Sequence, residues 1–184
     1  MNLAGKTAVI TGAASGIGRA IACSLARRGC HLALADLNEA GLAETAALAA
    51  GQGLRITCHR LDVADKQAVA AFPAAVVSAG HSGVDILVNN AGVALGGSFD
   101  EVSEADFEWL FDINFWGVVR MTRAFMPMLM ASAGAQIVNI SSLFGRIAPP
   151  GQTAYSASKF EIGRASCRAR VSLSVVAVSF HHPK

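Results

Sequence analysis

Little of this 184-residue sequence is charged: Asp, Glu, Lys and Arg make up 15%, hydrophobic residues 53%, and only 5 residues are proline. Low charge with abundant apolar residues excludes a disordered chain and supplies one sizeable core. No apolar run approaches the ~18 residues that a membrane-spanning helix needs, so no membrane partner is expected. The opening MNLAGKTAVI leads straight into a strand-like segment with no charged, apolar and cleavable leader, so a cytoplasmic location is expected. The four cysteines, Cys23, Cys30, Cys58 and Cys167, form no CxxC pair and read as reduced thiols. His31 and His59 fall on strand-like segments and His181 and His182 at the far end, so no metal site is expected. A basic face is also lacking. Residues 1–160 hold 11 basic against 12 acidic side chains, and the net charge of +2 comes from the residues after them, which argues against a nucleic-acid partner.

What is present alternates. Short β-branched runs are separated by longer Ala-rich stretches: Thr7–Thr11, His31–Asp36, Leu54–Arg60, Val84–Val88 and Gln136–Ser141 read as strands. Helices are expected over Ile17–Gly29, over Asn38–Ala50 with Asn38 as its cap, over Asp65–Ala79, over roughly Ser103–Ala131, and from Thr153 onward. Strands that are apolar throughout belong to a parallel sheet covered on both faces. Right-handed crossovers then give an α/β, doubly wound, three-layer α/β/α (Rossmann) fold.

The first strand runs into Thr11-Gly12-Ala13-Ala14-Ser15-Gly16-Ile17-Gly18 and then a helix, the context that a dinucleotide site requires. Glycine allows the tight turn and the close approach of backbone to a pyrophosphate at a helix N-terminus. The GK[ST] of a phosphate-gripping P-loop is absent, which disfavours an NTPase. Asp36 ends the second strand, where a carboxylate accepts from ribose hydroxyls and repels a 2′-phosphate. Neither Ser15 nor Leu37 supplies a cation to reverse that, so NAD is expected over NADP. Asn89-Asn90-Ala91-Gly92 closes the fourth strand with two amides and two small residues, suited to a flat ligand or to an ordinary Asn-Gly-type turn. Tyr155 and Lys159 stand at i and i+4 on one helix face, where an ammonium favours a phenolate and so readies a general acid/base. Ser142 follows a strand at the sheet edge where such folds place ligands.

Together TGAASGIG, the Asp36 strand end, Leu61-Asp62-Val63, NNAG, Asn114 within FDINFWG, VNISS and YSASK resemble the short-chain dehydrogenase/reductase family over residues 3–160. The resemblance implies a pyrophosphate held by the turn from Gly12 through Ser15, Gly16 and Ile17 to Gly18, with Asp36 on the ribose. It further implies Asp62 and Val63 on the adenine, and Asn90, with Ala91 and Gly92, on the nicotinamide side. Tyr155 would be the acid/base, Lys159 would assist it and bind ribose, Ser142 would orient the substrate oxygen, and Asn114 would hold a relay water. The implied reaction is hydride transfer between a nicotinamide cofactor and a secondary alcohol or ketone. A full-length form would be a homo-oligomer with a small-molecule substrate. The alternative is a nucleotide-binding module or inactive fragment without turnover.

After Phe160 the resemblance stops. Glu161–Arg168 (EIGRASCR), followed later by SVVAVS, reads as translated sequencing-adapter sequence. The expectation is therefore an incomplete catalytic domain over 1–160, truncated after the fifth strand and the start of the next helix, with a non-native tail over 161–184. Within that tail, 171–180 is the one strand-like run.

Overall fold

The computed structural model describes residues 2–165 and 172–178; Cys167, His181 and His182 lie outside them. Six parallel strands form one sheet in the order β3-β2-β1-β4-β5-β6. They are β1 Thr7–Thr11, β2 His31–Asp36, β3 Ile56–Arg60, β4 Ile86–Asn89, β5 Gln136–Ser142 and β6 Ser172–Val178. The order reverses direction at β1, whose neighbours are β2 on one side and β4 on the other. Ligand crevices form at such a switch point, outside the carboxyl ends of the strands.

Alternation sends successive residues to opposite faces. Ala8 and Ile10 join Leu32, Leu34, Ile86 and Val88 in a core covered by α1 (Gly16–Ala26) and α2 (Glu39–Ala49). Val9, Ala33 and Leu87 face the other way, into a core built with Val69, Phe72 and Val76 of α3 (Lys66–Ser78) and Met121, Phe125 and Leu129 of α5 (Gly117–Ala131). All five residues of β1 are buried, which is why it reads as a continuous apolar run. The expected cap forms, Asn38 accepting from the Gly41 N–H, and Asp65, read as the first helical residue, instead caps α3 by accepting from the Gln67 and Ala68 N–H groups.

The first helix ends at Ala26 rather than Gly29, and three further boundary differences have a visible cause. The third strand starts at Ile56 rather than Leu54, because the Gly53 turn (φ +73°) occupies the approach. The fourth starts at Ile86, because the Asp85 carboxylate is engaged by the Lys6 ammonium and the Thr7 N–H. The helical region read as unbroken over 103–131 is divided into α4 (Glu104–Phe111) and α5 by a π-type turn, Asp112–Trp116. Apolar periodicity does not register one extra residue in a turn.

The helix expected at Thr153 is α6, Thr153–Ala165. The sequence reading ended the sheet at its fifth strand, with 171–180 as the one strand-like run beyond it; that run supplies β6, which pairs from Gln136↔Ser172 to Ser142↔Val178. No helix among the described residues is long and apolar enough to cross a membrane.

Candidate active site

A cleft of about 440 Å³ opens at the carboxyl ends of β1, β2 and β4. Its lining includes Gly12, Ser15, Gly16, Ile17, Asp36, Asn90, Ala91, Gly92, Tyr155 and Lys159, so ten residues selected from the sequence converge on one space. A smaller pocket of about 160 Å³ adjoins it and adds Asp62 and Val63, together with Leu37, Leu61 and Ile113. Among the described residues, two carboxylates and no cation line this second pocket.

The glycine turn is shaped by close approach. Gly12 has φ +65°, and a Cβ there would stand 2.7 Å from the Asn90 amide nitrogen. A Cβ at Gly18 would collide with the Gly12 carbonyl, whereas one at Gly16 (φ +52°) would meet nothing within 4 Å. Gly12 and Gly18 therefore allow packing, and Gly16 leaves the mouth of the cleft open. Both amide hydrogens of Asn90 are engaged within the protein, by the Thr11 and Gly12 carbonyls at 3.0 Å each. Thr11 Oγ1 accepts from the N–H groups of Asn90 and Ala91 at 3.1 Å and lies 3.4 Å from the Val88 carbonyl. Sequence reasoning did not select Thr11, and its only signal is its place immediately before Gly12.

Asp36 is half-buried, with one carboxylate oxygen accepting from the Ala14 N–H and the other from the Asn38 N–H, both at 3.0 Å. Each oxygen keeps a lone pair for a further donor. Asp62 accepts from the Ala64 N–H at 2.9 Å, which fixes the wall of the smaller pocket. At α1, Ser15 occupies the cap position without a side-chain cap bond, and no acidic residue stands in the first turn. The amide-rich end of α1 is thus left to whatever occupies the cleft.

Lys159 is buried, and burial lowers its pKa from 10.5 to about 8. Its ammonium lies 5.8 Å from the centroid of the Tyr155 ring and donates to the Ile140 carbonyl at 3.3 Å. An ammonium has three donors, and this one has a single protein acceptor among the described residues. A Cβ at Gly92 would stand 3.2 Å from that nitrogen, so the absence of a side chain keeps its approach clear. The remaining donors and the open helix end fit a ligand rich in hydroxyl and phosphate oxygens.

Asn114, on the π-type turn, is fully buried behind the cleft. Its carboxamide accepts from the Val93 N–H at 2.9 Å and donates to the Val93 carbonyl at 2.9 Å and to Ser158 Oγ at 3.1 Å. Ser158 in turn donates to the Tyr155 carbonyl at 2.8 Å. Ser142 ends β5 outside the lining of the cleft, where its hydroxyl accepts from the Phe144 N–H at 3.2 Å; the neighbouring Ser141 lines the cleft instead. Phe144 meets Tyr155 edge to face with ring centroids 6.2 Å apart. No three His, Cys, Asp or Glu side chains among the described residues are grouped to hold a metal.

Residues 6–176 match the family described as short chain dehydrogenase. The oxidoreductase SadH of Mycobacterium tuberculosis is 51% identical over 159 residues, covering 86% of this chain and 57% of that protein. The oxidoreductase UcpA of Escherichia coli is 43% identical over 162 residues, covering 87% and 60%. A short-chain dehydrogenase/reductase from Burkholderia phymatum, solved in complex with NAD, is 36% identical with a TM-score of 0.88, covering 95% of this chain and 66% of that one. An alcohol dehydrogenase from Thermococcus sibiricus, complexed with 5-hydroxy-NADP, is 33% identical with a TM-score of 0.82, covering 88% and 68%. The chain thus spans a little under two thirds of the length of these curated relatives, 57% and 60%.

Proposed function

Because the chain belongs to the short chain dehydrogenase family, we propose that it acts on secondary alcohols and ketones with a nicotinamide dinucleotide held in this cleft. The observation that carries the reading is that Tyr155 and Lys159 line the same space as Gly12, Gly16, Ile17 and Asp36. When bound, the nicotinamide ring supplies or accepts the hydride.

In this reading the turn from Gly12 to Gly18 and the open end of α1 hold the pyrophosphate, and Asp36 takes the adenosine ribose hydroxyls. Asp62 and Val63 wall the adenine side, while Asn90, Ala91 and Gly92 form the floor near the nicotinamide ribose. The two carboxylates and absence of a cation in the smaller pocket favour NAD over NADP, since a 2′-phosphate would meet uncompensated negative charge. Tyr155 gives its phenolic proton to the carbonyl oxygen during reduction and takes it back during oxidation. Lys159 assists Tyr155 through the ammonium beside its ring and donates to ribose hydroxyls. Ser142 orients the substrate oxygen, which requires its hydroxyl hydrogen, since the Phe144 amide engages only a lone pair. Asn114 holds the relay side of the site by bracing Val93 and, through Ser158, the backbone of Tyr155.

Phe144 beside Tyr155 favours a nonpolar or mixed substrate, in keeping with the apolar Leu95 and Ile147. The catalytic assignment lies within 1–160, and the 161–184 tail has no part in it. A homo-oligomer is expected of a longer form, and Trp109 and Trp116, near half exposed, offer apolar surface for it. Titration of the chain with NADH, followed by fluorescence, tests the reading. Saturable binding is expected, and a folded chain that binds neither NADH nor NADPH would overturn it.

A further inference from the structure

Behind the glycine turn, two side chains outside the proposed chemistry take up its carbonyl oxygens. Thr45 is fully buried in α2, and its hydroxyl lies 2.9 Å from the Ala13 carbonyl and 3.0 Å from the Gly41 carbonyl. The same oxygen accepts from Arg19 Nε at 3.0 Å. Arg19 also makes a short bond to the Ala14 carbonyl and pairs with the Glu44 carboxylate at 2.8 Å. Gly41 lets α2 press this close, since a Cβ there would stand 2.8 Å from the Ala14 methyl and 2.9 Å from its carbonyl oxygen.

The consequence is directional. The carbonyls of Ala13 and Ala14 are tied to α2 and the Arg19 guanidinium, while Ala14 N–H is tied to Asp36. The cleft beyond is lined by Gly12, Ser15, Gly16 and Ile17. A loop that receives an anion must present N–H groups and keep carbonyl oxygens averted. Something must therefore hold the carbonyls back.

Resting on the dinucleotide reading of the cleft, we propose that Arg19 and Thr45 are positioning residues for the pyrophosphate, clamping the Ala13 and Ala14 carbonyls away from it. Their effect should fall on the phosphates and not on the adenosine. The same reasoning separates them from residues that merely stabilise the fold, whose loss would weaken every ligand alike.

The test is a comparison of adenosine, ADP and NADH binding to the wild-type chain, Thr45→Val and Arg19→Met, by isothermal titration. Valine keeps the shape of threonine without its hydroxyl. Arg19→Met gives the same readout from a partly exposed position should the buried substitution fail to fold. Weakening of ADP and NADH by about tenfold, the loss of one charge-assisted hydrogen bond, is expected with adenosine unchanged. Equal weakening of all three ligands, or of none, would overturn the clamp. A wild-type chain that binds neither ADP nor NADH would instead overturn the dinucleotide reading, and the clamp with it.

Discussion

Lys159 holds its ammonium 5.8 Å from the centroid of the Tyr155 ring with the Ile140 carbonyl as its one acceptor among the described residues, so a charge is buried at the expense of the fold. Its pKa is 10.5 when unperturbed and about 8 when buried. Between those values the unfolded chain binds the extra proton, so stability rises with pH across that window, and below pH 8 the full penalty of about 3 kcal/mol applies. Lys159→Met should raise Tm at pH 7 by about 5 °C or more, with the gain shrinking above pH 8 and gone near pH 10.5. Melting curves at pH 7 and pH 10 check this; a lower Tm for the variant at pH 7 would contradict it.

Tyr155→Phe keeps the ring and its edge-to-face contact with Phe144 and removes only the hydroxyl. NADH affinity should change by less than about twofold, while ketone reduction falls by roughly a hundredfold or more. Single-turnover oxidation of NADH with a ketone panel measures both quantities on one sample. Substantial residual turnover would remove Tyr155 from the chemistry.

Replacing Asp36 by Ala together with Leu37→Arg should reverse the preference between NADH and NADPH. The carboxylate that repels a 2′-phosphate is lost and a cation enters the pocket that Leu37 lines. Because Asp36 also accepts from the Ala14 and Asn38 N–H groups, the double variant should lose about 1–2 kcal/mol of stability. Paired fluorescence titrations decide the matter, and a wild-type chain that already prefers NADPH would refute the assignment.

At the opposite edge of the sheet, Thr57 Oγ1 bridges His59 Nε2 at 2.8 Å and His81 Nε2 at 2.9 Å. Burial lowers both histidine pKa values, with Arg55, His31 and His59 adding repulsion at His81. The unfolded chain therefore takes up protons first as pH drops through 6.5, and stability should fall below that point and be fully present above it. Urea melts from pH 5 to pH 8 should display this slope, and His81→Gln should flatten it. An unchanged slope in the variant would place the acid sensitivity elsewhere.

Legibility in the sequence followed how local each cause was. β1 and β2 have the boundaries read from their apolar runs, and Asn38 and Asp65 cap their helices by contacts three residues long. The cleft residues were legible because glycine spacing, a strand-end carboxylate and an i, i+4 pair each carry their chemistry within a few positions. Thr45 and Arg19 were not, since their partner Ala13–Ala14 is reached only when α2 packs behind the turn. Asn114 stands out in the sequence only through its motif, and its clasp on Val93 depends on the π-type turn, which periodicity does not reveal. Ser142 is marked in the sequence by the strand that it ends, while the engagement of its oxygen by the Phe144 amide has no sequence signal.

The most direct test of the central claim is deuteride transfer. The chain is incubated with NADH carrying deuterium at the transferable ring position and a panel of apolar and mixed ketones, and the alcohols formed are analysed by mass spectrometry. The account predicts deuterium on the carbinol carbon of at least one product with the wild-type chain, and roughly a hundredfold less or none with Tyr155→Phe. A folded wild-type chain that binds NADH yet yields no labelled alcohol from any ketone would contradict it, leaving a nucleotide-binding module without turnover.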